Sequence, residues 1–305
     1  MFWIWVLAIL GMCTKYCEVA LGIKYRRKND VGEWVGGPMY YIKNGLGKHW
    51  QFLAVLYSLF GVLTVFWHRQ RDPGQHHRRR HRHGPDGVQC GRSERASTLN
   101  LVVGIVVAML VAMVLLGGIK RIGSVSERLV PFMALFYIVL AVGVVILNIQ
   151  RFPAVIEAVF AGAFNPAAFT GGTIGSLFIS MQKGVSRGIF SNEAGLGTGS
   201  IAHACADTKK PVKQGMFGIF EVFADTIVIC TLTAMVILCS GTTVNYGTAA
   251  GAELTISGFT TTYGGWASIF TAVALCCFAF STIIGWGLYG SRFIAFLCRS
   301  DQGRA

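Results

Sequence analysis

Seven apolar runs punctuate the chain, at about residues 2–23, 50–67, 99–117, 128–149, 171–190, 214–239 and 266–290. Each is about long enough for a helix to cross a hydrocarbon core ~30 Å thick. The connections are short, apart from residues 68–97, and leave no room for a soluble unit. The pattern therefore predicts a single transmembrane domain over 1–305, all-α and polytopic. Lys15 and Glu18 interrupt the first run, which predicts a helix with one face packed against protein. Met1 leads directly into Phe2-Trp3-Ile4-Trp5, without the basic stretch or small-residue cleavage site of a signal peptide.

The basic residues fall on alternate connections. Lys24, Arg26, Arg27 and Lys28 follow the first run, Lys120 and Arg121 the third, Lys209, Lys210 and Lys213 the fifth, and Arg292 and Arg299 the seventh. Residues 240–262 contain neither Lys nor Arg. Basic residues concentrate on the cytoplasmic side of membrane proteins, so 24–49, 118–127, 206–213 and the end after 291 are predicted to be cytoplasmic.

Residues 68–97 (HRQRDPGQHHRRRHRHGPDGVQCGRSERAS) break this order, with eight Arg and most of the chain's His on the opposite side. A basic disordered loop, a His-rich metal tract and an arm for an anionic partner are three readings. A shifted reading frame explains more. Allowed codons for 67–96, moved by one base, spell GTGNATQVNTIAAAIDTALTAFNVVDLNA, which continues a membrane helix. On that reading much of the net charge of +13 is uninformative.

Composition agrees with a membrane protein, at 53% hydrophobic and 13% charged. The nine cysteines show no paired loop spacing, and Cys13, Cys230, Cys276 and Cys277 sit inside apolar runs. They read as small hydrophobes, without a disulfide framework or a zinc site.

The candidate chemistry lies at 183–198. The fifth run turns from apolar residues into QKGVSRGIFSNEAGLGTGSIAHA, whose glycines and charges would not persist as a lipid-facing helix. Irregular backbone at membrane depth survives only inside protein or beside a cavity, and in carriers such breaks bind solute and coupling ion. The start of a second half-helix near Asn192 and Gly195 is expected to face a solute carboxylate. The alternative is a cytoplasmic loop with a close-packing motif. In the last run Thr282 and Trp286, four residues apart, share a helix face beside Ser281. They suit a polar pocket under an indole, or a hydroxyl bonded to its own helix beside a core Trp.

Asp225 and Glu221 are buried-carboxylate candidates for ion coordination or for pairing with a residue such as Arg187, and the alternative for Glu221 is a solvated place near the cytoplasmic end. His203 reads as a packed or interfacial residue. VGGPMYYIKNGLG suits an interfacial helix on the cytoplasmic side, and FPAVIEAVFAGAFNPAAF its external counterpart.

GGPMYYI, KGVSRGIFSNEAGLGT, HACADT and FSTIIGWGLYG resemble the signature segments of the alanine or glycine:cation symporter family, the sodium:alanine symporters or amino-acid carrier proteins. The resemblance runs in order along nearly the whole chain outside 68–97. It implies a LeuT-like (APC-type) inverted-repeat fold in the cell inner membrane, and sodium-coupled uptake of alanine or glycine by alternating access. Na+ is then the coupling ion, with no other cofactor, and nucleic acid is not a partner.

The seven runs resemble the family's second to eighth helices, so the resemblance implies an incomplete fold and a truncated form, with an inactive chain as one reading. Residues 188–197 correspond to the unwound sixth helix. The implied substrate-binding residues are Gly188, Phe190, Ser191, Asn192, Gly195, Thr282 and Trp286, and the implied cation-binding residues are Ser281 and Thr282. No catalytic or resident metal site is implied. An integral membrane enzyme or a channel-like module is the alternative, although neither a paired-carboxylate motif nor His spacing outside 68–97 supports an enzyme.

Overall fold

The computed structural model describes residues 1–67, 90–164, 173–243 and 251–298. Helix α1 (Phe2–Lys24) is followed by a two-stranded hairpin, β1 (Arg27–Lys28) and β2 (Trp34–Val35), and a short turn of helix, α2 (Pro38–Tyr41). Then come α3 (Gln51–Trp67), α4 (Cys90–Leu116), α5 (Gly118–Leu147) and α6 (Phe152–Phe164). The C-terminal part contains α7 (Thr173–Asn192), α8 (Gly199–Ala204), α9 (Pro211–Val222), α10 (Thr231–Cys239), α11 (Ala252–Tyr263) and α12 (Trp266–Leu297).

Within the described residues, every apolar run coincides with helix. Four helical stretches among the described residues are long and apolar enough to cross a membrane: Phe2–Lys24, Arg121–Leu147, Pro211–Cys239 and Trp266–Leu297. Large apolar side chains such as Ile9, Leu10, Phe132 and Ile269 remain exposed on them, as lipid-facing residues do. The chain is thus a multi-pass, all-helical membrane protein. Of the Arg/His-rich segment, 68–89 lie outside the described residues, and the rest opens α4. Gly171, Gly172 and Arg299 also lie outside them.

In lipid, helices associate through close packing rather than through the removal of apolar surface from water. The inner face of α1 repeats on helical spacing as Ala8, Gly11, Lys15, Val19 and Gly22, all buried. A Cβ at Gly11 would lie 3.3 Å from Ala194 Cβ, and one at Gly22 would lie 3.0 Å from the Ser200 carbonyl. The missing side chains let α1 lie directly against α7, α8 and α9. The protein-facing side expected from Lys15 and Glu18 is therefore present.

One end of the molecule gathers the four segments predicted to be cytoplasmic. Arg26 donates to the carbonyls of Ala204 (2.9 Å), Ala206 (2.6 Å) and Thr208. Arg292 pairs with Glu33 at 3.0 Å, and a cavity of about 300 Å³ there is shared by Glu33, Gly118, Ile122 and Arg292. Segments 24–49 and 118–127 thus meet the end of α12, and Arg26 ties 206–208 to the first of them. Arg151 donates to the Cys239 carbonyl (3.4 Å), and Asn148 to Thr262 (3.2 Å), joining connections at the other end.

The GGPMYYI segment departs from the expected interfacial helix. Pro38, Met39 and Tyr40 are buried in a core with Ala54, Ile201, Phe293 and Phe296. Gly37, at φ +120°, explains why: a side chain there would strike Ile201, so only glycine lets the backbone come this close. Helix α6 packs on the start of α1, with Phe2 and Phe164 rings 4.8 Å apart, and leaves Phe160 and Phe164 partly exposed.

Candidate functional site

Helix α7 ends where the Glu193 amide makes the last helical bond to the Ile189 carbonyl (2.9 Å). Glu193 then adopts φ +55°, and Gly195 and Gly197 follow at +92° and +76°. Left-handed backbone costs an ordinary residue about 1–2 kcal/mol and glycine almost nothing, so two of the three turns fall on glycine. The chain resumes as α8 at Gly199. The interruption covers 193–198 and begins five residues after the expected start at Gly188, a correction with a physical cause. Gly184 and Gly188 belong to regular helix, where a Cβ would meet Trp3 (2.7 Å) and Leu7 (2.5 Å). They serve close packing against α1. The second half-helix accordingly starts at Gly199 and not near Asn192 or Gly195.

The freed backbone is held by partners from several helices. The Gly195 amide donates to Glu18 Oε1 of α1 (3.0 Å), and Tyr57 of α3 donates its hydroxyl to the Leu196 carbonyl (2.8 Å). Thr198 donates to Glu193 Oε2 (2.7 Å). Lys15 Nζ donates to the Asn192 carbonyl (3.0 Å).

The span Pro211–Cys239 contributes the polar wall opposite. Its middle, Phe223–Cys230, is π-helical, a local widening often found at functional sites. Asp225 and Cys230, five residues apart, both reach Ser191: its Oγ lies 2.5 Å from Asp225 Oδ2 and 3.2 Å from Cys230 Sγ. Thr226 accepts from Asn192 Nδ2 (3.0 Å) and donates to Asp225 (3.2 Å). Asn192 Oδ1 in turn accepts the Ala194 amide (3.0 Å), tying its side chain to the break. The partner of Asp225 is thus Ser191 and Thr226 rather than Arg187. Glu221, one turn earlier, binds Lys15 (3.3 Å) and His203 (2.7 Å), and His203 Nδ1 meets Gln214 (2.8 Å).

The structure brings Ser191 and Asn192 together with Asp225, Thr226 and Cys230. Gly188 is buried against Leu7, Phe190 is 66% exposed, and Gly195 is exposed at the turn. Ser281 and Thr282 both donate to the Phe278 carbonyl (2.9 Å each), the self-bonded arrangement, and Thr282 is exposed. Trp286 packs on Tyr289, with ring centroids 5.8 Å apart, and joins the core around Met39 and Phe293. Sequence reasoning missed Lys15 as a member of the site. A lysine in an apolar run with few carboxylates available was the signal for it. Among the described residues, no group of three or more His, Cys, Asp or Glu is arranged to hold a metal ion.

The whole of this chain, residues 1–305, matches the family model for the sodium:alanine symporter family. An uncharacterized transporter of Haemophilus influenzae is 40% identical over 301 residues, 97% of this chain and 62% of that protein. The sodium/alanine symporter AgcS of Methanococcus maripaludis is 38% identical over 307 residues, 97% of this chain and 63% of its own length. The amino-acid carrier protein AlsT of Bacillus subtilis is 37% identical over 297 residues, 97% of this chain and 59% of its own length. The chain spans about three fifths of the length of these relatives. With a glycine-turned break inside a multi-pass helical protein and a family match from end to end, this chain belongs to the sodium:alanine symporter family.

Proposed function

We propose that this chain forms the solute-binding part of a sodium-coupled carrier of a small neutral amino acid, alanine or glycine. The observation that carries the reading is the break at 193–198, where a helix stops inside the protein facing the polar side chains of a π-helical turn. Backbone freed at such depth takes its partners from side chains and can exchange them for an ion and a zwitterion, which a continuous helix does not allow.

On this reading the solute lies against Ser191, Asn192 and Gly195 on one side, with Gly188 and Phe190 behind them. Thr282 and Trp286 of α12 face it, and Ser281 and Thr282 contribute to the sodium site. The arrangement is a LeuT-like inverted repeat with seven spans in the inner membrane, working by alternating access as a carrier and not as an enzyme. The end that joins 24–49, 118–127, 206–213 and the tail after 291 is cytoplasmic, because the basic residues cluster there.

Uptake of labelled alanine into proteoliposomes under an inward sodium gradient tests the reading, with glycine and D-alanine as competitors. Saturable uptake that collapses when sodium is replaced by potassium is expected. Uptake indifferent to sodium, or linear in alanine, overturns it.

A further inference from the structure

Lys15 is a fully buried ammonium in the middle of an apolar helix, and pairing with Glu221 does not by itself account for it. A buried ion pair is at best near break-even against apolar replacements of the same volume, and Glu221 is 46% exposed and also bound by His203. What sets Lys15 apart is its second bond, 3.0 Å to the Asn192 carbonyl. That carbonyl belongs to the last turn of α7, where backbone acceptors have no helical partner and the helix dipole is negative.

The path of the side chain is built for this contact. A Cβ at Gly199 would collide with Lys15 Nζ, and one at Gly218 would lie 3.3 Å from Lys15 Cγ. Lys15 therefore runs through a slot between two glycines, one opening α8 and the other on α9. Its tip is delivered to the carbonyl side of Asn192, whose amide group holds Thr226 on the other side.

We propose that Lys15 is a positioning residue of the solute site. Its ammonium fixes the carbonyl end of α7, and through it the orientation of Asn192 and the start of the break. Glu221, steadied by His203 and Gln214, keeps the ammonium aimed. Lys15 itself does not touch the solute. The link to transport rests on the carrier reading above.

The test compares wild type, Glu221→Gln, the double variant Lys15→Met/Glu221→Gln, and Gly199→Ala. The double variant removes both partners of the ion pair together, and Gly199→Ala keeps the ammonium but closes the slot. Hydrogen exchange of the backbone amides at 194–201 in detergent is the first readout. The double variant and Gly199→Ala are expected to exchange about tenfold faster there, with 252–263 unchanged, because only a local contact is lost. Glu221→Gln retains an acceptor oxygen that aims the ammonium, keeps the Asn192 bond and stays within about twofold of wild type.

Sodium-driven alanine uptake is the second readout. A positioning role raises KM about tenfold in the double variant at a maximal rate within about twofold of wild type. A purely structural role lowers the amount of folded protein, and so the maximal rate, at constant KM. A double variant that matches wild type in exchange at 194–201 overturns the proposal. If wild type shows no sodium-driven uptake, the carrier reading fails, while the exchange measurement still decides the role of Lys15.

Discussion

Ser191 and Asp225 share the shortest polar contact around the break, 2.5 Å from Oγ to Oδ2, which joins the last turn of α7 to the π-helical turn of the next span. Hydrogen bonds to charged acceptors are the strong ones, and a buried carboxylate that loses a donor bears the desolvation cost. Ser191→Ala should therefore destabilise the protein by about 1–3 kcal/mol. Ser191→Thr, which keeps the hydroxyl, should not. Thermal unfolding in detergent distinguishes them.

The two glycines of the break predict unequal responses to alanine. At Gly195, φ is +92° and nothing lies within 4 Å of an added Cβ, so only backbone strain of about 1–2 kcal/mol is expected. At Gly197, φ is +76° and the new methyl would press on Pro38 and lie 3.2 Å from the Tyr57 hydroxyl. Overpacking adds about 1–3 kcal/mol there. Gly197→Ala should melt at the lower temperature of the two.

Thr282 separates stability from solute binding. Its hydroxyl is bonded to its own helix and it is exposed, so Thr282→Val should change stability by no more than about 0.5 kcal/mol. On the carrier reading, KM for alanine rises about tenfold in the same variant, through one lost hydrogen bond to the solute. An unchanged KM removes Thr282 from the site.

Arg26 closes the carbonyl end of α8 by donating to Ala204, Ala206 and Thr208, and stacks its guanidinium 4.0 Å from the Trp34 ring. Arg26→Gln should free the following connection, at a cost of about 1.5–3 kcal/mol. Trypsin should then cut faster after Lys209 in the exposed turn, read by mass spectrometry of the fragments.

Cys205 lies in that same connection, within 3.6 Å of the Trp34 carbonyl and 3.5 Å of the Ile201 carbonyl. Burial pushes its thiol above the usual range, partly opposed by the nearby Arg292 and Arg26 guanidinium groups. The thiolate is the reactive form, so alkylation should be slow at neutral pH and rise only above the ordinary thiol range. The exposed Cys298 provides the fast comparison.

The helical frame was legible because a membrane span writes itself as a long apolar run. The break was legible in kind but misplaced, since Gly184, Gly188, Gly195 and Gly197 look alike in sequence. The first two accommodate Trp3 and Leu7, and the last two supply positive φ, a difference that depends on what α1 brings against them. The turn at Glu193 falls on a residue type that composition does not flag. The pairing of Lys15 with Asn192 spans 177 positions, and the π-helical turn has no residue signature that separates FADTIVIC from ordinary helix. Lys15 and Glu18 nonetheless announced that α1 faces protein.

The widened turn at Phe223–Cys230 makes chain length itself part of the site. A π-helical stretch accommodates more residues than an α-helix over the same rise, so losing one residue there would let the span relax into regular helix. Such a deletion would leave the helix continuous and the apolar pattern nearly intact. It would also rotate Asp225 and Cys230 apart, and Ser191 would no longer reach both.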